Sequence, residues 1–485
     1  MKHTFFNNSE IQELLAQILK FAKKHKVKMY LVGGYLRDII LAREKENPDL
    51  DFCIKKGAIS SGRKLAQRLK CGFVVLDRKH GCARLVKKIR SRIYTLDFTD
   101  FRGATLEEDL LRRDFTINTL ALELNKAVGG YKIGDSLIDP YGGRKDLAAK
   151  TIRVVNPKAF DDDPLRILRA FSLAAVLGFK INKPTLNRAK LKAKYLLGVS
   201  FERIRDELFK ILHQKDSFTY IAQLDKFKIL KLIFPEIESM RGVGQGPYHH
   251  LDVWQHTLET IKQLDLALEE VKNNKYLKDY LSENMSYDRK RYALLKLGAL
   301  LHDIGKPAAL RKVEGKLIFH GHERTGMKMS MDIAKRLKLS NDEQGALNKM
   351  VLWHLRPGYL ADNPEVTARA KFRYFRDAQK ESASILLLSL ADQRATKGRL
   401  TTQQSRIRHE KVVANLLKDY FKKEKEVKPQ RLITGDDLIK EFKLKPSVLI
   451  GKILGELEEL QAIGKIKSKK EALAAAKKII SKEKK

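Results

Sequence analysis

Two aspartates two residues apart, in Asp49-Leu50-Asp51-Phe52, carry the most pointed chemistry in this chain. On a β-strand that spacing puts both carboxylates on one face. Like charges so close repel each other, so the pair is costly without a cation between them. Mg²⁺ held there could activate a 3′-hydroxyl and stabilise the leaving pyrophosphate of a nucleotide. Upstream, Gly33-Gly34 ends an apolar run (Met29 to Val32) and precedes a helix expected from Tyr35 to Leu41. The backbone N–H groups at its start would face a triphosphate, and Arg37 adds positive charge. A third carboxylate on a neighbouring strand commonly completes such a site; Asp97, in Tyr94-Thr-Leu-Asp-Phe-Thr-Asp100, is the expected one and Asp100 its rival.

A second group stands in Asp162-Asp163-Pro164-Leu165-Arg166-Ile-Leu-Arg169. Asp163 and Arg166 are three apart and are expected to share a helix face, one offering acceptors and the other donors. Cytosine and adenine each present an exocyclic amine beside a ring acceptor, whereas uracil and guanine present a carbonyl beside a donor. An Asp/Arg pair therefore selects C and A. An Asp before Pro is also an ordinary helix start.

The run Leu31-Val-Gly-Gly-Tyr-Leu-Arg-Asp38 followed by Asp49-Leu-Asp51 resembles the class II tRNA nucleotidyltransferase and bacterial poly(A) polymerase family, the enzymes that add CCA or A to RNA 3′ ends. The resemblance spans roughly residues 28 to 235. It implies CTP and ATP as substrates, tRNA or another RNA 3′ end as partner, and Mg²⁺ at the carboxylates. Arg112-Arg113-Asp114-Phe-Thr-Ile-Asn118 matches the family's ribose-contacting segment. On a helix Asp114 and Asn118 would lie one turn apart and face the same sugar hydroxyls. Asp162 to Arg169 matches the segment that chooses the nucleotide, with Asp162 where many relatives carry Glu. Gly33, Gly34, Arg37, Arg113, Asp114, Asn118, Asp163, Arg166 and Arg169 are thus the expected nucleotide-binding residues, and Asp49, Asp51 and Asp97 the catalytic ones. Glu202 to Glu207 resembles the family's bracing helix and reads equally well as a plain salt-bridged one.

A third group lies in the second half. His302-Asp303 follows an apolar helix (Ala293 to Leu301) and precedes Ile304-Gly305-Lys306-Pro307. With His256 upstream and Asp392 in Ser389-Leu-Ala-Asp-Gln393, it resembles the HD superfamily of metal-dependent phosphohydrolases over about residues 248 to 396. Such ligands suit a divalent transition metal or Mg²⁺, and an open coordination position would activate water against a phosphate. His322 and His354 could add ligands for a second metal. The alternative is a fold that no longer binds metal.

These groups need elements to hold them. Strand-like pieces at Met29 to Val32, Leu50 to Ile54, Phe73 to Leu76, Ala83 to Val86 and Ile93 to Phe98, after an amphipathic helix over 10–26, predict an α/β nucleotidyltransferase domain over 1–145. From Asp163 the period turns helical, predicting an all-α neck over 146–240, an HD domain over 248–400 and a basic helical region over 401–485. The glycines of Arg241-Gly-Val-Gly-Gln-Gly-Pro247 follow no strand and read as a linker rather than a phosphate loop.

The chain has 485 residues, with 97 Lys plus Arg against 59 Asp plus Glu, a formal net charge of +38. Such an excess repels itself unless a polyanion neutralises it, which points to nucleic acid or an anionic membrane surface, the alternative being a lysine-rich compositional bias. Lys465, Lys467, Lys469, Lys470, Lys477 and Lys478 could meet phosphates along one helix face. No apolar run approaches a membrane span, and Met1 to Glu10 lacks the apolar core of a signal peptide, so a cytoplasmic protein with no membrane partner is expected. Cys53, Cys71 and Cys82 suggest neither a zinc site nor a disulfide framework. The rival readings are poly(A) tailing of other RNAs, which shares every catalytic motif, and an HD phosphohydrolase whose N-terminal half only binds RNA. Some relatives divide C and A addition between two enzymes that share these motifs.

Overall fold

The computed structural model describes residues 9–43, 47–128, 136–423 and 431–483. Residues 1–8, on which most of the signal-peptide expectation rests, and the last two lysines lie outside them. The chain divides into two units, one of residues up to Ile211 with Gln223–Ile233, the other of Leu212–Ala222 with Phe234 onward.

In the first unit, Ile11, Leu14, Leu15, Ile18, Phe21 and Ala22 form the buried stripe of a helix over Ser9–Lys24, the spacing that a 3.6-residue period demands. A seven-stranded sheet follows, in the order β3-β4-β5-β2-β1-β6-β7. Its strands are β1 Met29–Val32, β2 Asp49–Ile54, β3 Gly72–Asp77, β4 Cys82–Ile89, β5 Arg92–Asp100, β6 Ala121–Glu123 and β7 Leu137–Ile138. The five expected strands are present. β6 and β7, three and two residues long, were not expected, because pieces so short carry no readable alternation. β2 and β5 pair in parallel; the other neighbours are antiparallel. The helix Ala58–Leu69 packs on β3, β4 and β5, and Leu50, Phe52, Leu96 and Phe98 are fully buried.

The region after Asp163 is helical with short strand excursions, one of which, Lys180–Ile181, pairs in parallel with the earlier Thr151–Ile152. The helix Leu165–Leu177 buries most of its side chains. In the second unit, Val253–Glu270, Arg291–Leu301, His322–Arg336, Asn341–Trp353 and Ser382–Ala395 form the helical framework. The Arg241 to Pro247 stretch follows a 3₁₀ turn rather than a strand, and Asp252, which caps the Val253 helix, also accepts the Gly242 N–H.

Residues 431–483 fold three helices around Ile433, Leu438, Ile453, Leu457, Ala472 and Ala476. That packing is tied to the helix Ala368–Ala378 by Arg369 and Arg373, which grip the buried Glu459. Of the C-terminal lysines, Lys469 is held by Asp437 at 2.6 Å. Among the described residues, no helix is long and apolar enough to cross a membrane.

Candidate active site and a second candidate metal centre

Strand register assembles the first site. Asp51 lies directly across from Asp97 in the parallel β2–β5 pair, and Asp49 is two residues away on the same strand. All three carboxylates therefore stand on one face. Asp100 is opposite Ile54 and accepts the Ala58 N–H at 2.7 Å, so it starts a helix instead of joining the group. Burial pushes the Asp51 carboxyl up to about 6; Arg113 pulls it down, and Asp97 and Asp49 push it up further. Three crowded carboxylates, one of them resisting ionisation, are a donor set that fits a divalent cation.

Gly33 ends β1 with φ of +81°, and a Cβ there would stand 3.2 Å from both Asp51 Oδ2 and Arg113 Nη1. Only glycine suits that backbone and that close approach. The helix that follows spans Gly34–Ile40, and its start lines a cavity of about 610 Å³ with the three carboxylates.

Along another wall runs a continuous polar relay. Arg37 Nη1 donates to Asn118 Oδ1 at 2.8 Å, Asn118 Nδ2 donates to Asp114 Oδ1 at 2.9 Å, and Arg169 Nε meets Asp114 Oδ2 at 2.9 Å. Burial opposes ionisation of Asp114, but Arg169, the Asn118 amide and the Phe115 N–H outweigh it and hold the carboxyl below its usual range. The expected helix through Asp114 and Asn118 is absent. Asp114 O and Arg153 O accept from Val155 and Thr116, and only Thr116–Asn118 makes a 3₁₀ turn. Pairing with residues 153–155 overrides the helical spacing, yet the two side chains still meet.

The expected base-reading pair is arranged differently from its sequence reading. Asp163 has extended backbone just outside the helix; its Oδ1 accepts the Leu165 N–H, and Oδ2 takes Arg203 Nη2 at 2.8 Å. Arg166 is on the helix and buried, donating to the carbonyls of Arg112 at 2.8 Å, Arg113 at 3.1 Å and Ala159 at 3.3 Å. Both residues line the cavity, but no hydrogen bond or ion pair joins their side chains. Sequence reasoning placed Arg203 in the expected bracing helix without naming Asp163 as its partner, and it missed Arg84 on Asp97 altogether. Nothing local marks either one, since each meets its carboxylate from another element.

The second centre is built by helix ends. Nδ1 of His302, His322 and His354 donates to the carbonyl three residues earlier, Ala299, Phe319 and Val351, at 2.8, 2.8 and 2.7 Å. A carbonyl only accepts, so each Nδ1 carries a proton, and in the neutral ring each Nε2 presents a lone pair. Those buried Nε2 atoms turn toward Asp303. Oδ2 of Asp303 is 3.1 Å from His302 and 3.7 Å from His256, while Oδ1 is 3.4 Å from His322 and 3.6 Å from His354. Asp392 Oδ1 lies 2.8 Å from His256 Nε2 and 3.8 Å from His302 Nε2. Two ligand groups result, His256/His302/Asp392 and Asp303/His322/His354, with Asp303 facing both.

Gly305 makes this possible: a Cβ there would fall 2.2 Å from the His322 carbonyl. Lys306 Nζ, 2.6 Å from Asp303 Oδ2, was part of the quoted motif without a role. Burial opposes ionisation of Asp303, but His302 and Lys306 outweigh it and hold the carboxyl well below its usual range. Nitrogen lone pairs around a shared carboxylate fit divalent metal, with no one metal singled out.

One stability effect follows from the first site. The folded protein disfavours the ionised form of Asp51, so its contribution to stability is present at low pH and lost as pH rises through about 6. With metal chelated, Asp51→Asn should raise the unfolding temperature at pH 8 by several degrees, on the order of 1–2 kcal/mol, and change little at pH 4. Calorimetry in chelator at both pH values measures it; equal shifts at both would contradict the crowding of charge.

Three segments of the chain match known domain families. Residues 29–153 match the poly A polymerase head domain, residues 178–241 a probable RNA and SrmB-binding site of polymerase A, and residues 253–397 the HD domain. An A-adding tRNA nucleotidyltransferase of Deinococcus radiodurans is 30% identical over 444 residues, 89% of this chain and 91% of that protein. A CC-adding tRNA nucleotidyltransferase of Synechocystis is 29% identical over 430 residues, 88% of each chain. The solved Thermotoga maritima CCA-adding enzyme complexed with tRNA shares the fold, with a TM-score of 0.62 at 22% identity over 98% of this chain and 96% of that one. With relatives this similar matched along nearly their whole length, the chain belongs to the tRNA nucleotidyltransferase and poly(A) polymerase family.

Proposed function

We propose that this protein adds C, A or both to tRNA 3′ ends from CTP and ATP. The observation that carries the reading is the register that sets Asp49, Asp51 and Asp97 on one face beside the Gly33-Gly34 turn. Those carboxylates would hold Mg²⁺, which when bound polarises the RNA 3′-hydroxyl and offsets charge on the departing pyrophosphate. Arg37, Asn118, Asp114 and Arg169 form a preorganised wall for the ribose, and Arg113 lends positive charge beside Asp51. Asp163 and Arg166 read the base. Arg166 does so by exchanging a backbone carbonyl for a ring acceptor, which C and A supply at the edge where U and G present a donor. The excess of positive charge suits a polyanionic partner, and a cytoplasmic location is part of the same reading.

The base-reading roles have a direct test. Asp163→Ala combined with Arg166→Ala should relax discrimination of C and A against U and G by about 10- to 100-fold, since one bidentate contact is worth about 1–3 kcal/mol. Competition between the four nucleoside triphosphates on one tRNA measures it; unchanged selectivity would reduce the pair to a helix start and a backbone clamp.

A second activity is favoured by the placement of Asp303 between two histidine groups. His256, His302, Asp303 and Asp392, with His322 and His354, would hold a divalent transition metal or Mg²⁺, which supplies an activated water for phosphate ester hydrolysis. The chain's own part is to fix the tautomers through three backbone carbonyls and to set the Lys306 cation 2.6 Å from Asp303.

A further inference from the structure

Arg84 has no role in the account so far, yet it holds one of the three carboxylates. In the antiparallel β4–β5 pair it lies directly opposite Asp97, as Asp51 does on the other side in the parallel pair. Its Nε donates to Asp97 Oδ1 and its Nη2 to Asp97 Oδ2, both at 2.8 Å, a side-on fork that engages both oxygens at once. Among the described residues Asp49 and Asp51 form no ion pair, so of the three only Asp97 has a fixed cationic partner. The Asp97 side chain is 18% exposed and that of Arg84 is 43% exposed.

We propose that Arg84 is a counter-ion lock on Asp97 that divalent metal must open. The inference rests on the reading of Asp97 as a metal ligand. A cation bound by Asp97 competes with Arg84 for the charge and the lone pairs of that carboxylate, because the arginine fork engages both oxygens. Arg84 can leave at little desolvation penalty, because its side chain is already 43% exposed and the freed guanidinium can turn into water. A metal position served by Asp49 and Asp51 alone therefore fills first. The position that also needs Asp97 fills at higher metal concentration, after Arg84 lets go. Arg84 is thus a positioning residue: it sets the metal concentration at which the third carboxylate joins the site.

The test is Mn²⁺ binding to the full chain, followed by the paramagnetic resonance of the free ion, for wild type, Arg84→Ala, Asp97→Asn and the double variant. Metal held by the histidine centre is common to all four and cancels in the comparison. The expected result is that Asp97→Asn weakens one class of Mn²⁺ sites, that Arg84→Ala tightens the same class about three- to tenfold, and that Arg84→Ala has no effect once Asp97 is Asn. Arg84→Lys, a point charge that cannot fork, should fall between wild type and Arg84→Ala. Unchanged or weaker binding in Arg84→Ala, with Asp97→Asn still weakening it, would overturn the lock alone and make Arg84 an orienting partner. Mn²⁺ binding indifferent to Asp97→Asn would overturn the ligand reading and the lock with it.

Discussion

Asp51→Asn or Asp49→Ala should lower nucleotide addition by at least about a thousandfold while tRNA affinity changes less than about twofold. The carboxylates stand on one face of β2 in register with Asp97, so losing one removes a ligand from a set of three. Interactions aimed at developing charge typically account for factors of this size or larger. RNA binding rests on a different term, attraction between phosphates and the basic surface, to which an acidic residue contributes nothing favourable. Single-turnover extension of end-labelled tRNA, with filter binding of the same variants, separates the two. Undiminished incorporation in either variant would remove the metal assignment.

His302→Ala should abolish any metal-stimulated phosphatase or cyclic phosphodiesterase activity, by about a hundredfold or more, and leave nucleotide addition within about twofold of wild type. His302 Nε2 is 3.1 Å from Asp303 and 3.8 Å from Asp392, so its loss opens the middle of the ligand array. The carboxylate site is formed by other residues altogether, Asp49, Asp51 and Asp97. Hydrolysis of p-nitrophenyl phosphate and 2′,3′-cyclic AMP with Mn²⁺, Ni²⁺ or Mg²⁺, together with metal content, provides the readout. Wild-type protein that binds no transition metal and hydrolyses neither substrate would make the HD domain structural.

What the sequence showed and what it hid divide along physical lines. Asp49 and Asp51 were legible because a two-residue spacing on a strand has one geometric outcome, a shared face. The choice between Asp97 and Asp100 was not decided by spacing. It depends on β2 and β5 being parallel neighbours with a helix and the strands β3 and β4 between them in sequence, and the register sets Asp100 opposite Ile54 instead. Asp114 and Asn118 were read as one helical turn, and bonds to residues 153–155 gave that segment another backbone. Arg166 was read as free to face a base, but its guanidinium is held by carbonyls more than fifty positions away in sequence, which no local pattern reports. The histidine centre was legible through a motif resemblance, since its ligands are scattered from His256 to Asp392. The division of those ligands about the two oxygens of Asp303 needed coordinates.

The central claim, that this chain extends tRNA 3′ ends, is tested most directly by incubating the purified protein with tRNAs ending before, within and after CCA, using CTP and ATP separately and together. The account predicts Mg²⁺-dependent growth of at least one truncated tRNA by C, by A or by both, stopping when the CCA end is complete, with UTP and GTP inert. No extension of any of these tRNAs with any nucleotide would contradict it.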